Sequence, residues 1–63
     1  MAYQVQVTPR DGGQDIFSPS LEKEEAERQL ALIRGTLGSS EAPDLPWLAV
    51  QGRDILGASV IGG

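Results

Sequence analysis

The chain contains neither cysteine nor histidine. Disulfide bonds are therefore excluded, as are metal sites built on thiolate or imidazole ligands. A serine nucleophile would also lack its usual histidine base. The single lysine, Lys23, lies among glutamates, which favour its charged form over the neutral amine that a nucleophile requires. We therefore expect a protein that is not an enzyme, with no catalytic residues, no metal and no cofactor.

Positive charge is also scarce. The 63 residues include 5 basic and 9 acidic side chains, for a formal net charge of −4. We expect no nucleic-acid partner, because binding to phosphates needs a basic surface. The first residues lack the basic and apolar segments of a signal peptide, and no apolar run is long enough to span a bilayer. The sequence thus predicts a cytoplasmic protein with no membrane partner.

The length fits one small domain over residues 1–63, with no room for a second. A single core of this size rarely contributes more than about 3–5 kcal/mol to stability. Because disulfides and thiolate or imidazole metal sites are excluded, packing and self-association are the remaining ways to stabilise the fold. We therefore expect the chain to bind itself as a homodimer or a higher oligomer.

Two short strands are predicted at the start of the chain. Residues 2–8 alternate between apolar and polar side chains, which is typical of a strand with one solvated face. Pro9 and the turn-forming residues 10–13 end this strand. Residues 14–17 then form a short antiparallel strand, and the nearby Pro19 favours an edge position for it.

A helix is predicted over residues 20–36, with Ser18 or Ser20 as its N-cap. Glutamates cluster near its beginning, where negative charge is favourable. One apolar stripe recurs at helical spacing and is expected to pack on the sheet; it consists of Ala26, Leu30, Ile33 and Leu37. Leu21 and Leu32 project from nearly the opposite side of the helix, where a partner would cover them.

A second hairpin is predicted for residues 47–61. Its type II′ turn is centred on Gly52 and Arg53, because glycine suits the first central position of such a turn. In this register Val50 pairs with Ile55. With the first hairpin and the helix, this gives an α+β fold of ββαββ order, a four-stranded mainly antiparallel sheet with one helix on one face. Both faces of the second hairpin carry apolar side chains, so one helix can cover only one of them.

The uncovered face of this hairpin indicates a binding role. We expect a non-catalytic interaction or regulatory protein, a homodimer that binds or inhibits another protein in the manner of bacterial or phage accessory proteins. Trp47 lies at the mouth of the hairpin, where it suits either an interface anchor or a core position at one end of the sheet. The predicted interface comprises Trp47, Ala49, Leu56, Ala58, Val60 and Leu32.

Four arginines offer an alternative. If the fold gathers them, they form an anion-binding patch that comprises Arg10, Arg28, Arg34 and Arg53. Such a patch would suit a small-molecule sequestering protein that holds an anionic ligand in a pocket between protomers. Separate roles of these side chains in solubility are the other interpretation.

The segment Ile61-Gly62-Gly63 supports a further alternative. This diglycine resembles the end of the small ubiquitin-like sulfur carriers of thiamine and molybdopterin synthesis, and Val50-Gln51-Gly52 is similar to their internal strand and turn. The resemblance implies a sulfur carrier or protein tag that acts through the carboxylate of Gly63, which an activating enzyme adenylates. It also implies a final strand paired in parallel with the first, whereas the predicted second hairpin joins the last two strands directly.

Overall fold

The computed structural model describes residues 2–62, which form a three-stranded antiparallel sheet and one helix. The α+β class, the single helix and the antiparallel sheet are confirmed, whereas the predicted fourth strand is wrong. A 3₁₀ turn, Gly52–Asp54, immediately precedes the last strand. The regular elements are β1 (Tyr3–Pro9), β2 (Ile16–Phe17), α1 (Lys23–Thr36) and β3 (Ile55–Gly62).

β1 is the central strand of the sheet, in the order β2-β1-β3. Both neighbours run antiparallel to it, so β2 and β3 point in the same direction on opposite sides of β1. Two strands that run in the same direction need a crossover connection rather than a tight turn. The segment that contains α1 provides this crossover.

The predicted second hairpin does not form. Residues 47–51 are not a strand, and the residues that follow the 3₁₀ turn pair with β1 instead. Val5 lies opposite Val60, and Gln6 lies opposite Ser59. A two-stranded hairpin is only marginally stable in water, whereas pairing with β1 places β3 in a larger sheet beneath the helix. The apolar run of β3 is therefore satisfied by a strand from the other end of the chain.

The core lies between α1 and the sheet. Two of the side chains predicted for the helical stripe are fully buried, Leu30 packs against the core, and Leu37 remains 41% exposed because it follows the end of α1. The loop before the 3₁₀ turn also contributes to the core. The buried apolar residues are Val5, Val7, Ala26, Ile33, Leu48 and Ile55.

A β-bulge near the start of β3 changes which residues it buries. Thr8 lies opposite Gly57, but Pro9 lies opposite Ile55, so one residue of β3 has no counterpart in β1. That residue, Leu56, is 61% exposed. Because a bulge inserts one residue into the alternation, Ile55 can enter the core although it is separated by an odd number of positions from the other core-facing residues of β3.

Gly52 has a different role from the one predicted. It is buried and its φ is not positive, so it does not occupy the first central position of a type II′ turn. A Cβ at this position would lie 1.6 Å from the carbonyl oxygen of Thr36. The Gly52 N–H donates to the Glu41 carbonyl (2.8 Å), and the Gly38 N–H donates to the Gly52 carbonyl (3.3 Å). Glycine is thus required because two backbones approach closely at the end of α1.

The helix begins later than predicted. Glu22 is the N-cap residue and makes no side-chain capping hydrogen bond, so the prediction of Ser18 or Ser20 as the cap is wrong. The Ser18 hydroxyl oxygen instead accepts a hydrogen bond from the Val5 N–H at 2.8 Å. Ser18 therefore serves the sheet rather than the helix, because β1 continues past the end of β2 and its buried N–H groups need partners.

Candidate protein-interaction edge

The outer side of β3 has the properties of a binding edge. Among residues 2–62, β3 is a border strand whose one strand partner is β1. Within residues 2–62, no backbone hydrogen bond joins residues 56–62 to any element other than β1. A border strand directs half of its backbone N–H and C=O groups away from the sheet. The outer side of β3 thus offers a row of donors and acceptors to another strand.

Apart from the bulge near its start, β3 lacks several features that normally discourage such pairing. Its eight residues, ILGASVIG, include no charged side chain and no proline. Natural border strands are commonly protected by lysine, by proline, by extreme shortness or by a covering loop. With eight residues, β3 exceeds the common strand length of about 5–6.

At the opposite border of the sheet, strand pairing is short and side-chain hydrogen bonds follow it. β2 is only two residues long. Beyond it, the Ser18 N–H donates to the Val5 carbonyl (2.9 Å), and the Ser18 hydroxyl donates to the Pro19 carbonyl (2.9 Å). The Gln4 side-chain amide donates to the Ser18 carbonyl (2.9 Å). This border therefore presents no long, regular row of backbone groups.

The sheet face opposite α1 is mainly polar. The strand register places on it Gln4, Gln6, Thr8, Phe17, Ser59 and Ile61. The Gln6 amide donates to the Asp15 carboxylate, on the β2 side of the sheet. Phe17 and Ile61 are the exposed apolar side chains of this face, at 48% and 36%. This face is thus the solvated one, as the alternation of residues 2–8 predicts for β1.

No family model, curated protein or solved structure matches this chain.

The residues predicted as an interface do not form one uncovered face. Ala58 lies opposite Val7, and Val60 lies opposite Val5, on the side of the sheet that meets α1. Both residues are half-buried and pack against the core. The prediction of a shared uncovered face is wrong, because β3 pairs with β1 and turns these side chains toward the helix.

The other predicted interface residues are distributed over the loop, the helix and the bulge. Trp47 is half-buried against the core, and its indole N–H donates to the Gln29 side-chain oxygen at 2.8 Å. Ala49 is exposed in the loop, Leu32 is 39% exposed on α1, and Leu56 is exposed at the bulge. Partner binding by these individual residues stays a prediction.

The structure brings two of the four arginines together. The Arg10 Nε donates to the Arg53 carbonyl (3.1 Å), and the Arg10 backbone N–H donates to the Asp54 carbonyl (2.7 Å). The Arg53 Nε donates to the Gln51 side-chain oxygen (2.8 Å). Both guanidinium groups are therefore held by neutral acceptors beside the 3₁₀ turn. Anion binding by this pair stays a prediction.

The other two arginines belong to α1. The Arg28 guanidinium forms an ion pair with the Glu25 carboxylate, one helical turn away. This hydrogen bond, followed by one from the Gln29 amide, lowers the pKa of Glu25 below its usual value. Arg34 lies in the last turn of α1, where a cation is favourable beside the free carbonyl groups. Arg28 is thus already engaged by a carboxylate.

The diglycine prediction is only partly within the described residues, because Gly63 lies outside them. Gly62 belongs to β3 and lies opposite Tyr3. Its φ is 120°, and a Cβ there would lie 2.6 Å from the Ala2 carbonyl oxygen. A close backbone approach therefore requires glycine at this position. The pairing of β3 with β1 is antiparallel, whereas the resemblance to sulfur carriers implies a parallel pair.

Residues 2–62 contain no group of three or more acidic side chains placed to hold a metal ion. A shallow, open depression beside the start of α1 is lined by Ala2, Ser20, Leu21 and Glu22. In the part of the chain that the structure describes, no helix combines the length and apolar character that a bilayer crossing needs.

Proposed function

We propose that this chain is a non-catalytic protein-interaction module that forms a homodimer by strand addition along β3. The observation that carries the proposal is the uncharged, eight-residue border strand whose outer side has no backbone partner among the described residues. Strand addition is a recurrent mode of recognition, in which main-chain hydrogen bonds supply affinity and alternate side chains supply specificity.

The distribution of charge supports association at this edge. Two copies of a chain with a net charge of −4 repel one another. The two long strands, residues 3–9 and 55–62, contain no charged side chain, and all the charges lie on the helix, the turns and the loops. Contact through β3 therefore brings two copies together where no like charges are placed face to face.

The small size of the core supports self-association as well. Six apolar residues form the buried core of the described chain. A domain of this size gains additional stability when oligomerisation buries further apolar surface. Strand addition would cover the exposed flank of β3 and pair its outward backbone groups. The dimer would present each remaining surface twice, which suits a regulatory protein that binds or inhibits another protein.

The test is the oligomeric state of two matched lysine variants. Ser59 is exposed on the border strand, and Gln6 lies directly opposite it on the central strand, on the same face. We expect the wild-type chain to have twice the protomer mass of 6.7 kDa by light scattering at micromolar concentration. Ser59→Lys should weaken the dimer by about tenfold or more, because like charges then meet at the edge.

Gln6→Lys is the control, since it adds the same charge away from the edge and should leave the dimer intact. Circular dichroism checks that both variants fold. A monomeric wild-type chain, or equal weakening by the two substitutions, would contradict the proposed function.

A further inference from the structure

Symmetry restricts how two copies of β3 can pair. An antiparallel continuation of the same sheet needs a two-fold axis perpendicular to the sheet, which leaves both helices on one face. Residues directly opposite one another then point to the same face. Because successive side chains alternate between faces, a residue can lie opposite itself or opposite a residue an even number of positions away. Registers that pair residues of unlike orientation are excluded.

The bulge restricts the register further. Only residues 57–62 of β3 pair regularly, with residues 3–8 of β1. A bulge disturbs both the alternation and the hydrogen-bond ladder, so the symmetric pairing must be centred within this regular part. Two centres each place five residues of both copies in register. They are Ser59, which pairs residues 57–61, and Val60, which pairs residues 58–62.

The sizes of the side chains favour Ser59. In that register, Val60 faces Ala58 of the second copy on the helix side, and Ile61 faces Gly57 of the second copy on the open side. A Cβ at Gly57 would meet nothing within 4 Å, so the space above this residue is open. Ile61 is 36% exposed and can occupy that space. Each large side chain thus lies opposite a small one, as dense packing requires.

The register centred on Val60 packs less well. It places two valines opposite one another and pairs Ala58 with Gly62, so that only its two pairs between Ser59 and Ile61 join a small residue to a large one. Large side chains therefore lie opposite small ones less often than in the register centred on Ser59.

We propose that β3 pairs with β3 of a second copy about a two-fold axis at Ser59, so that the two Ser59 residues are directly opposed. The proposal depends on the proposed function, because it identifies the strand that β3 accepts as a second copy of itself. Two three-stranded sheets become one continuous sheet of twice that number, in the order β2-β1-β3-β3-β1-β2. Both helices lie on one face, and Ile61 of each copy packs over Gly57 of the other.

The absence of cysteine makes this register directly testable by cross-linking. Directly opposed residues have Cα atoms about 4.5–5.5 Å apart, within the disulfide range of about 4.4–6.8 Å. With oxidised glutathione as the oxidant, which is reduced to two molecules of its thiol, Ser59→Cys should convert most of the chain into a disulfide-linked dimer. Ile61→Cys alone should form no disulfide, because residue 61 of one copy faces residue 57 of the other and lies four positions from residue 61. An equal mixture of Gly57→Cys and Ile61→Cys should yield the mixed dimer, which mass spectrometry identifies.

The outcomes separate this register from the proposed function. Efficient cross-linking of Val60→Cys without cross-linking of Ser59→Cys would overturn the Ser59 register and leave strand addition standing. A dimer by light scattering in which no cysteine of residues 57–61 cross-links would overturn β3 as the interface. A monomer at all concentrations tested would overturn the proposed function itself. Gln6→Cys, on the central strand, is the control for cross-linking by random collision.

Discussion

The two borders of the sheet differ in how they treat the backbone N–H and C=O groups that a border strand directs away from the sheet. On the β2 side, regular pairing stops after two residues. Ser18 then bonds to Val5 and to the Gln4 side chain. Further along, Leu21 exchanges two backbone hydrogen bonds with Tyr3, at 2.7 and 2.9 Å. On the β3 side, eight uncharged residues run along β1 with nothing bonded to their outer flank among the described residues.

This difference shows where association is expected. An unprotected border is a hazard for a protein that must stay monomeric, because any extended chain can pair with it. One border of this small sheet is protected and the other is not, although both flank the same central strand. We therefore interpret the bare β3 border as a surface that has a partner.

The largest effect on the free energy of unfolding is expected at Gly52, where the 3₁₀ turn before β3 contacts the end of α1. Gly52→Ala places a Cβ 1.6 Å from the Thr36 carbonyl oxygen, so the junction between α1 and the 3₁₀ turn must open. We expect the free energy of unfolding to fall by about 3 kcal/mol or more, at or above the upper end of usual overpacking costs. Urea denaturation followed by Trp47 fluorescence measures this, at one fixed protein concentration because dimer stability depends on concentration.

Gly35→Ala is the matched control for that substitution. Gly35 lies within α1, its φ is not positive, and a Cβ there would meet nothing within 4 Å. Alanine is more stable than glycine by about 0.5–1 kcal/mol in the middle of a helix, and we expect a gain of the same sign in the last turn of α1, where Gly35 lies. The same chemical change should thus have opposite signs at the two positions. Equal urea midpoints for the two variants would contradict the close approach at Gly52.

A smaller effect is expected at the protected border. Ser18→Ala removes the hydroxyl that accepts the Val5 N–H at 2.8 Å, and both residues are buried. A buried donor without a partner costs about 1–3 kcal/mol. We expect that loss in urea denaturation, together with faster hydrogen exchange of the Val5 amide. Ser20→Ala, at an exposed neighbouring position, is the control, and equal exchange rates at Val5 in both variants would show that Ser18 does not protect this border.

The smallest effect is expected on the helix, away from both borders. The Arg28 guanidinium lowers the pKa of Glu25, so the ionised carboxylate stabilises the folded state. Because the folded pKa lies below the unfolded one, this contribution is present above the unfolded pKa and is lost as the pH falls through the folded pKa. Arg28→Gln should raise the pKa of Glu25 in an NMR titration and leave dimer affinity unchanged.

Arg34→Gln serves as the control for this titration, because Arg34 lies at the other end of α1. A pKa of Glu25 that is the same in the wild-type chain and in Arg28→Gln would rule out the ion pair. A dimer that weakens in Arg28→Gln would show that the helix, rather than the uncharged border alone, takes part in association.

Local patterns were sufficient to predict β1, β2 and α1. The alternation that buries Val5 and Val7 and the spacing that buries Ala26 and Ile33 both depend on residues close together in the chain. The turn at residues 10–13 and the border position of the second strand follow from the same local chemistry. These predictions succeeded because hydrophobic periodicity is a property of each segment by itself.

The partner of β3 could not be predicted in this way. Gly52 and Arg53 resemble a hairpin turn, but Gly52 is required by its contact with Thr36, which is distant in sequence. The bulge at Leu56 then decides that Ile55 is buried. The absence of charge in the last strand was visible in the sequence, yet its meaning depends on which of its two flanks is already paired.

The class of the fold, the helix and the first two strands follow from the amino-acid order alone, because the period of the apolar residues matches each of these elements. That β3 joins β1, that Ala58 and Val60 turn toward the helix, and that the outer flank of β3 has no partner among the described residues all depend on how the chain packs. Strand pairing is made by backbone groups, which are the same in nearly every residue. The choice of partner is therefore set by the packing of the whole chain.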